Sequence, residues 1–327
     1  MNTQWIKKEL NQHQDVIRIL RFFYNLVKNP KNLQHKLGFK RINHKDEVIY
    51  IIRPNTEDGI QGLMSLFIQT LRKIDYANSK GYIPVVDFKN YLTQYYDGMN
   101  NVWENYFTQP SEKSLSEAYS SSQIILSGIS LKKNEDVSLF KKDIFFNKEK
   151  LNQAHNIIEN NIVIQKNVSN IISEERQKLS INNCIGVYIR GTDYVALKPV
   201  GEYVQPEVDE VINKMKIFQE KYPDSNFFIV TEDYNIYKKI KKEFSTKVRI
   251  VSFDKFIGNY DGSTFLSKAN ILQDDKVSRG MDYLVKILLL SECRYLISSI
   301  TMGSIATFAI NGGKYEEEYI FDLGVYE

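Results

Sequence analysis

The feature that most constrains this chain is an abrupt change of character at Arg190. Cys184 to Tyr194 reads C-I-G-V-Y-I-R-G-T-D-Y, and its mainly apolar, β-prone run from Ile185 to Ile189 stops at Arg190, Gly191, Thr192 and Asp193. A strand with one wet face would alternate apolar and polar residues, so a continuous run predicts a strand buried on both faces. Such strands belong to parallel sheets covered by helices, whose ligands bind beyond the carboxyl ends of the strands. Arg190 and Asp193 would stand at such an end. There a guanidinium presents a planar fork of donors that suits phosphate oxygens, Gly191 lets backbone come near a ligand, and Thr192 adds a hydroxyl. The competing reading is a strand end closed by a structural Arg190–Asp193 pair, because ion pairs also occupy clefts.

The C-terminal half repeats this strand–turn–helix rhythm. Pro206 to Tyr222 predicts a helix, Phe227 to Val230 a strand, Tyr234 to Phe244 a basic amphipathic helix, and Val248 to Phe253 a further strand. After a polar loop, Gly280 to Ser291 predicts an apolar helix, Tyr295 to Ser298 a short strand, and Gly303 to Ile310 a last helix. Strands alternating with helices of this length predict a parallel, doubly wound α/β sheet.

The N-terminal half begins the same way. Glu47 to Ile52 predicts a strand, Gln61 to Ser79 a helix ended by Gly81, and Tyr82 to Phe88 a second strand. This βαβ unit puts Gly59-Ile60-Gln61-Gly62 at a helix N-terminus, where backbone N–H groups favour anions, although a tight turn without ligand has the same pattern. The stretch is neither G-x-G-x-x-G nor a Walker lysine loop, which weakens the nicotinamide and P-loop readings. Asn90 to Pro110 is aromatic and polar; Tyr95, Tyr96 and Trp103 offer rings for a sugar acceptor or for core packing. Ser111 to Lys150 reads as irregular and Leu151 to Leu179 as of long helical character, and Ser180 to Asn183 then leads into the central strand, which puts a domain boundary near residue 180.

Composition bounds the function. The 327 residues are 43% hydrophobic with a net charge of +3, enough apolar material for two domains and too little positive charge for a general nucleic-acid binder. The charge is uneven: residues 1–41 carry a net +7, leaving about −4 for the remainder. Gln14 to Val27 predicts an amphipathic helix, which either packs on the domain or rests on an anionic membrane through its basic flanks. Cys184 and Cys293 are widely spaced within apolar segments, which predicts buried thiols and no zinc site. Without a transmembrane-length run or a signal-peptide core, the expected location is cytoplasmic, with peripheral contact at the inner face of the membrane as the variant.

Three strand ends in the C-terminal half carry polar clusters: Arg190 to Asp193, Thr231-Glu232-Asp233, and Ser298-Ser299-Ile300-Thr301. Parallel strands would bring all three to one edge. Arg190, the hydroxyls of Ser299, Thr301 and Ser304, and a helix N-terminus together make a diphosphate cradle. Glu232 and Asp233 suit ribose hydroxyls, and Asp282 suits the paired donors of a purine edge. Each cluster alone also reads as a helix cap.

V-Y-I-R-G-T-D resembles the H-x-R-x-x-D signature of the GDP-fucose-dependent fucosyltransferase superfamily. The order downstream resembles its α1,6 and nodulation branch: a P-x-x-x-E helix start at Pro206, I-V-T-E-D at 229–233, S-R-G at 278–280, and L-L-S-E-C-R-Y-L-I at 289–297. The likeness covers Ile185 to Ile310 and extends more weakly to G-I-Q-G. It implies a GT-B-like fold: two Rossmann-like domains facing a cleft, residues 1–180 on the acceptor side and 181–327 binding the nucleotide sugar. It also implies an inverting transferase that needs no metal or other cofactor and moves L-fucose from GDP-fucose to a hydroxyl of a bacterial surface glycan, lipid-linked in one variant.

By that resemblance Arg190 holds the β-phosphate, Ser299, Thr301 and Ser304 lie in the phosphate turn, Glu232 or Asp233 faces ribose, and Asp282 contacts guanine. Gly59, Gly62, Tyr188, Gly191 and Thr192 would line the donor site. Two departures stand out. The motif histidine is Tyr188 here, and the nearest acid after the motif is Glu202, so either Glu202 or Asp193 would be the general base. Use of another nucleotide sugar, or an inactive nucleotide-sugar or glycan-binding protein, are the alternatives.

Overall fold

The computed structural model describes residues 47–55, 61–91, 93–128, 139–258, 260–266 and 275–327. The basic helix expected at Gln14 to Val27, the membrane contact assigned to it, and Gly59 lie outside the described residues.

The first sheet is built around β1 (Ile49–Ile52), which pairs in parallel with β2 (Ile83–Val86) on one side and β3 (Ile124–Leu126) on the other. The crossover from β1 to β2 is α1 (Leu63–Ser79), as the βαβ pattern predicted. The Ser-rich stretch read as irregular instead holds α2 (Leu115–Ser120) and β3. Ser114 begins α2 with a capping box to Glu117, and β3 is only three residues long, too short for a periodicity to show.

Leu151 to Leu179 is not one helix but two, α3 (Lys148–Asn161) and α4 (Lys166–Leu179). The break falls on the β-branched run Ile162-Val163-Ile164, which is extended. There the Val163 carbonyl accepts from Thr108 N at 2.9 Å, and Ile164 bridges Phe107. β-Branched residues lose χ1 freedom in a helix and pair well when extended, so the break has a local cause.

The second sheet has the order β6-β5-β4-β7-β8, all parallel. Its strands are β4 (Cys184–Tyr188), β5 (Asn226–Val230), β6 (Val248–Arg249), β7 (Tyr295–Ser299) and β8 (Glu317–Phe321). Between them run α5 (Thr192–Leu197), α6 (Val208–Lys221), α7 (Tyr234–Phe244), α8 (Lys276–Ser291) and α9 (Met302–Asn311). β4 is central and buried on both faces. Ile185, Val187 and Ile189 pack against Val211 and Met215 of α6 and Ile240 of α7. Cys184 and Tyr188 join the other core with Leu284 and Leu289 of α8. Each buried aliphatic side chain of this kind contributes about 1.5–3 kcal/mol, which explains why the run is unbroken.

β6 ends four residues earlier than the sequence suggested. β8, an edge strand whose Glu318 and Tyr319 are exposed, is additional. A single apolar core continues from Phe67 and Leu71 of α1 through Leu151 of α3 to Ile305 and Phe308 of α9, linking the helices of both sheets. Cys184 and Cys293 are buried free thiols, and burial pushes Cys184 up to about 11. Among the described residues no helix is long and apolar enough to cross a membrane.

Candidate functional site

The parallel register brings the three polar strand ends to one edge. The central strand fixes Arg190: Ile189 N still donates to Val230 O at 3.1 Å, so β4 stays in line with β5 until the arginine. The guanidinium is 22% exposed, and its Nη2 donates to Asp193 Oδ1 at 2.9 Å. Its Nη1 lies 3.6 Å from Glu232 Oε2, and one face stacks 4.7 Å from the centre of the Tyr194 ring. Burial opposes the charge of Arg190, but Glu232 and Asp193 more than offset it, and the group stays cationic.

The turn after Arg190 is held by the end of β5. Glu232 Oε1 accepts from Gly191 N and from Thr192 Oγ1, each at 2.9 Å. Asp233 caps α7 through Asn235 N at 2.7 Å and Ile236 N at 3.1 Å, while its other oxygen accepts from Thr192 N at 3.3 Å. Thr192 has φ +43°, a left-handed conformation that costs a β-branched residue of order 1–3 kcal/mol and persists only where its surroundings impose it. A side chain at Gly191 would meet Asp233 and Ile236 within 2.8 Å. The close approach that Gly191 allows is therefore to its own protein.

Asp193 is 4% exposed and accepts three bonds, from Arg190, from Thr192 Oγ1 at 3.3 Å and from Leu266 N at 3.1 Å. Glu202 differs. It stands half-buried on the loop between α5 and α6. Burial raises its pKa above the usual carboxylate range, while the Tyr194 hydroxyl and Arg190 pull it back. The environment of Glu202 thus favours carrying a proton at higher pH than a free carboxylate.

At the end of β7, Ser299 Oγ donates to Gln205 Oε1 at 2.6 Å. Thr301 and Ser304 form the capping box of α9: Ser304 N donates to Thr301 Oγ1 at 3.1 Å, and Thr301 N to Ser304 Oγ at 2.8 Å. Ser304 is fully buried. These hydroxyls build the turn, and what faces the site is the positive end of a helix of ten residues. Tyr188, in the place of the motif histidine, shares a hydrogen bond of 2.8 Å with Tyr283 and faces Thr301; burial keeps its phenol neutral. A side chain on Gly303 would strike both phenolic oxygens.

The remaining expected residues are more dispersed. Asp282 is half-buried on α8 beside Tyr283. Gly62 precedes α1 with φ −66°, and among the described residues no atom lies within 4 Å of where a Cβ would stand. Tyr95 is buried, accepts from Leu63 N at 3.0 Å, and lies under the Arg279 guanidinium at 5.8 Å. Tyr96 is half-buried against the core. Trp103 is a core residue, 2% exposed, with its ring against Phe67, Phe88 and Phe107 and its indole N–H donated to Thr108 O at 2.8 Å. Its faces are taken by protein rings.

Three residues belong to the cluster that the sequence did not single out: Tyr194, Gln205 and Tyr283. Only Tyr194, directly after R-G-T-D, carried a positional signal. A separate groove of about 720 Å³ opens at the other end of the sheet, lined by Arg176, Glu292, Arg294 and Glu316. Two ion pairs cross it, Arg176–Glu292 at 2.5 Å and Arg294–Glu316 at 2.6 Å, and it contains none of the strand-end residues.

No protein-family model matches the chain, and no curated protein is similar to it in sequence. Solved structures do match. The NodZ α1,6-fucosyltransferase soaked with GDP-fucose is 14% identical, with 85% of this chain and 96% of that chain covered at a TM-score of 0.50. Selenomethionine fucosyltransferase NodZ from Bradyrhizobium is 15% identical (85% and 96% covered, TM-score 0.49), and a mutant of Arabidopsis thaliana FUT1 in complex with GDP is 10% identical (94% and 79%, TM-score 0.48). By fold the chain is thus a GT-B-like α/β protein with two parallel Rossmann-like sheets, arranged as in the NodZ α1,6-fucosyltransferase.

Proposed function

We propose that the protein is an inverting glycosyltransferase that moves L-fucose from GDP-fucose to a glycan hydroxyl. The observation that carries this reading is the position of Arg190: a cationic fork at the carboxyl end of the central strand, next to β7, whose end leads into the N-terminus of α9, in a fold shared with a fucosyltransferase soaked with GDP-fucose. We assign residues 181–327 to the donor and 1–180 to the acceptor side.

Arg190 and the α9 N-terminus would neutralise the β-phosphate as the bond from sugar C1 to the phosphate oxygen breaks. They would take the place of a divalent cation. Glu202 would accept the proton of the acceptor hydroxyl, whose oxygen forms the new bond to C1 while GDP leaves with the electron pair of the old one. General-base assistance of this kind is worth roughly 10²–10⁴ in rate. Glu232 would face the ribose and Asp282 the guanine N1–H and N2–H₂. Asp233, spent on the cap and on Thr192, fits a supporting part. The acceptor class we assign is a bacterial surface-glycan precursor. The net +7 of residues 1–41 would favour an anionic membrane if that precursor is lipid-linked.

Calorimetry with GDP, UDP, ADP and CMP in EDTA tests the reading. Selective GDP binding by the wild type, weakened about tenfold or more in Arg190→Ala as expected for a lost charged hydrogen bond, supports it. A folded protein that binds none of the four overturns it, and a preference for UDP keeps the transferase and overturns fucose.

A further inference from the structure

Glu202 sits on a loop, and a loop residue that must receive a proton needs something to hold it. Gly201 N donates to Tyr326 O at 2.8 Å, Tyr326 N to the Glu202 carbonyl at 2.9 Å, and Val204 N to Gly324 O at 3.1 Å. Tyr203 and Val325 form an antiparallel bridge. The segment Gly324–Tyr326 thus runs as a short partner strand along residues 201–204. On the other side Gln205, 6% exposed, ties the same loop to the turn after β7 through Ser299 Oγ at 2.6 Å and Ile300 O at 3.4 Å.

The apolar core does not explain why Gly324–Tyr326 lies there. Phe321 is the last side chain buried in it, whereas Leu323 and Val325 are 45% and 47% exposed. What fastens the segment is the backbone pairing, together with the Tyr326 hydroxyl, which accepts from Gln205 N at 3.4 Å, and the Lys142–Asp322 ion pair of 3.0 Å just before it. From this geometry we infer that Gly324–Tyr326 is a positioning strand, which fixes the Glu202 loop against Arg190 and Tyr194 and contributes no group to donor binding. The inference rests on the reading of Glu202 as the base.

The test replaces the donor to the Glu202 carbonyl. Tyr326→Pro removes that N–H, together with the hydroxyl that accepts from Gln205 N at 3.4 Å, and keeps the preceding residue extended, as the bridge requires. Tyr326→Phe, which loses the hydroxyl alone, should keep wild-type GDP release. Leu323→Ser, outside the paired segment, is the control. Three readouts are taken: GDP affinity by calorimetry, GDP release from GDP-fucose with water as acceptor across pH, and amide hydrogen exchange over residues 198–206.

The expected result for Tyr326→Pro is GDP affinity within about threefold of wild type, protection of 201–204 lost, and GDP release lowered by about 10²-fold, the low end for a lost general base. The residual activity should lack the acidic limb, as in Glu202→Gln, while Leu323→Ser should match wild type in all three. Unchanged protection, or GDP release within twofold of wild type by a variant that still binds GDP, overturns the inference and leaves the proposed function standing. A wild type that binds no GDP overturns the function instead, and the exchange result then decides the structural claim alone.

Discussion

The hydroxyl of Ser299 donates to the side-chain carbonyl of Gln205 at 2.6 Å, and this contact makes one unit of two elements far apart in the chain. Gln205 Nε2 completes the link by donating to Tyr203 O at 3.0 Å and Ile300 O at 3.4 Å. The turn after β7, assigned above to a phosphate, and the loop that carries Glu202 are therefore braced by one buried amide.

Gln205→Ala should then leave a buried hydroxyl and a buried carbonyl without their partner. Unsatisfied groups of this kind cost about 1–3 kcal/mol each, so equilibrium denaturation should show a loss of about 2–6 kcal/mol for the two. GDP affinity and GDP-fucose turnover should fall together, because both sides of the brace are released. A stable variant with unchanged affinity and turnover would show that the brace is dispensable.

Glu202 makes a prediction of opposite sign for stability and activity. Burial raises its folded pKa above the unfolded value, so between the two values the native state binds more protons and stability falls as pH rises. Glu202→Gln should accordingly be more stable than wild type at pH 7, with the gain vanishing in acid below the unfolded value. Donor turnover should collapse in the same variant, whereas wild-type turnover should decline as pH drops through the raised pKa. Denaturation midpoints and pH–rate profiles read the two halves separately.

Much of this arrangement was legible in the sequence, and what was not has physical causes. The central strand, α1, α7 and the convergence of Arg190, Glu232 and Ser299 follow from apolar runs and from Asp233, which caps α7 as its residue type suggests. β3 and β8 were hidden, one by its three-residue length and one by the exposed charges of an edge strand. Trp103 shows a different limit. An aromatic-rich loop offers rings, but which ring meets solvent is set by tertiary neighbours such as Phe67 and Phe107, far away or uninformative in sequence. The role of Gly324–Tyr326 was equally invisible, because backbone pairing leaves no mark on side-chain type.

Gly303 tests the packing around the residue that replaces the motif histidine. Adding a methyl there drives it into the hydroxyls of Tyr188 and Tyr283. Overpacking in a tight core costs about 1–3 kcal/mol, and Gly303→Ala should lose stability by that amount and weaken GDP binding by displacing the α9 N-terminus. Tyr188→Phe in the Gly303→Ala background should recover part of the loss. Strict additivity of the two substitutions, measured as a double-mutant cycle, would refute the contact.

The pair of Asp254 and Lys286 gives the last prediction. Lys286 Nζ donates to Asp254 Oδ1 at 2.8 Å, with the aspartate wholly buried and the lysine 13% exposed. Lys286 stands one helical turn beyond Asp282 on α8, so the pair underlies the region assigned to the nucleobase. Burial raises the Asp254 carboxyl and Lys286 lowers it again. Among the described residues Asp254 Oδ2 has no hydrogen-bond partner, which leaves the lysine as the main compensation for a buried charge. Lys286→Met should therefore cost about 3–5 kcal/mol at pH 7, the usual penalty for breaking a buried pair from one side. Because the orphaned carboxyl then protonates at higher pH than in wild type, the deficit should shrink as pH falls. Lys286→Met combined with Asp254→Leu should recover most of the stability at every pH, since no buried charge remains. If Lys286→Met proves neutral at pH 7, the buried Asp254 carboxyl does not rely on Lys286 and the pair contributes nothing to stability.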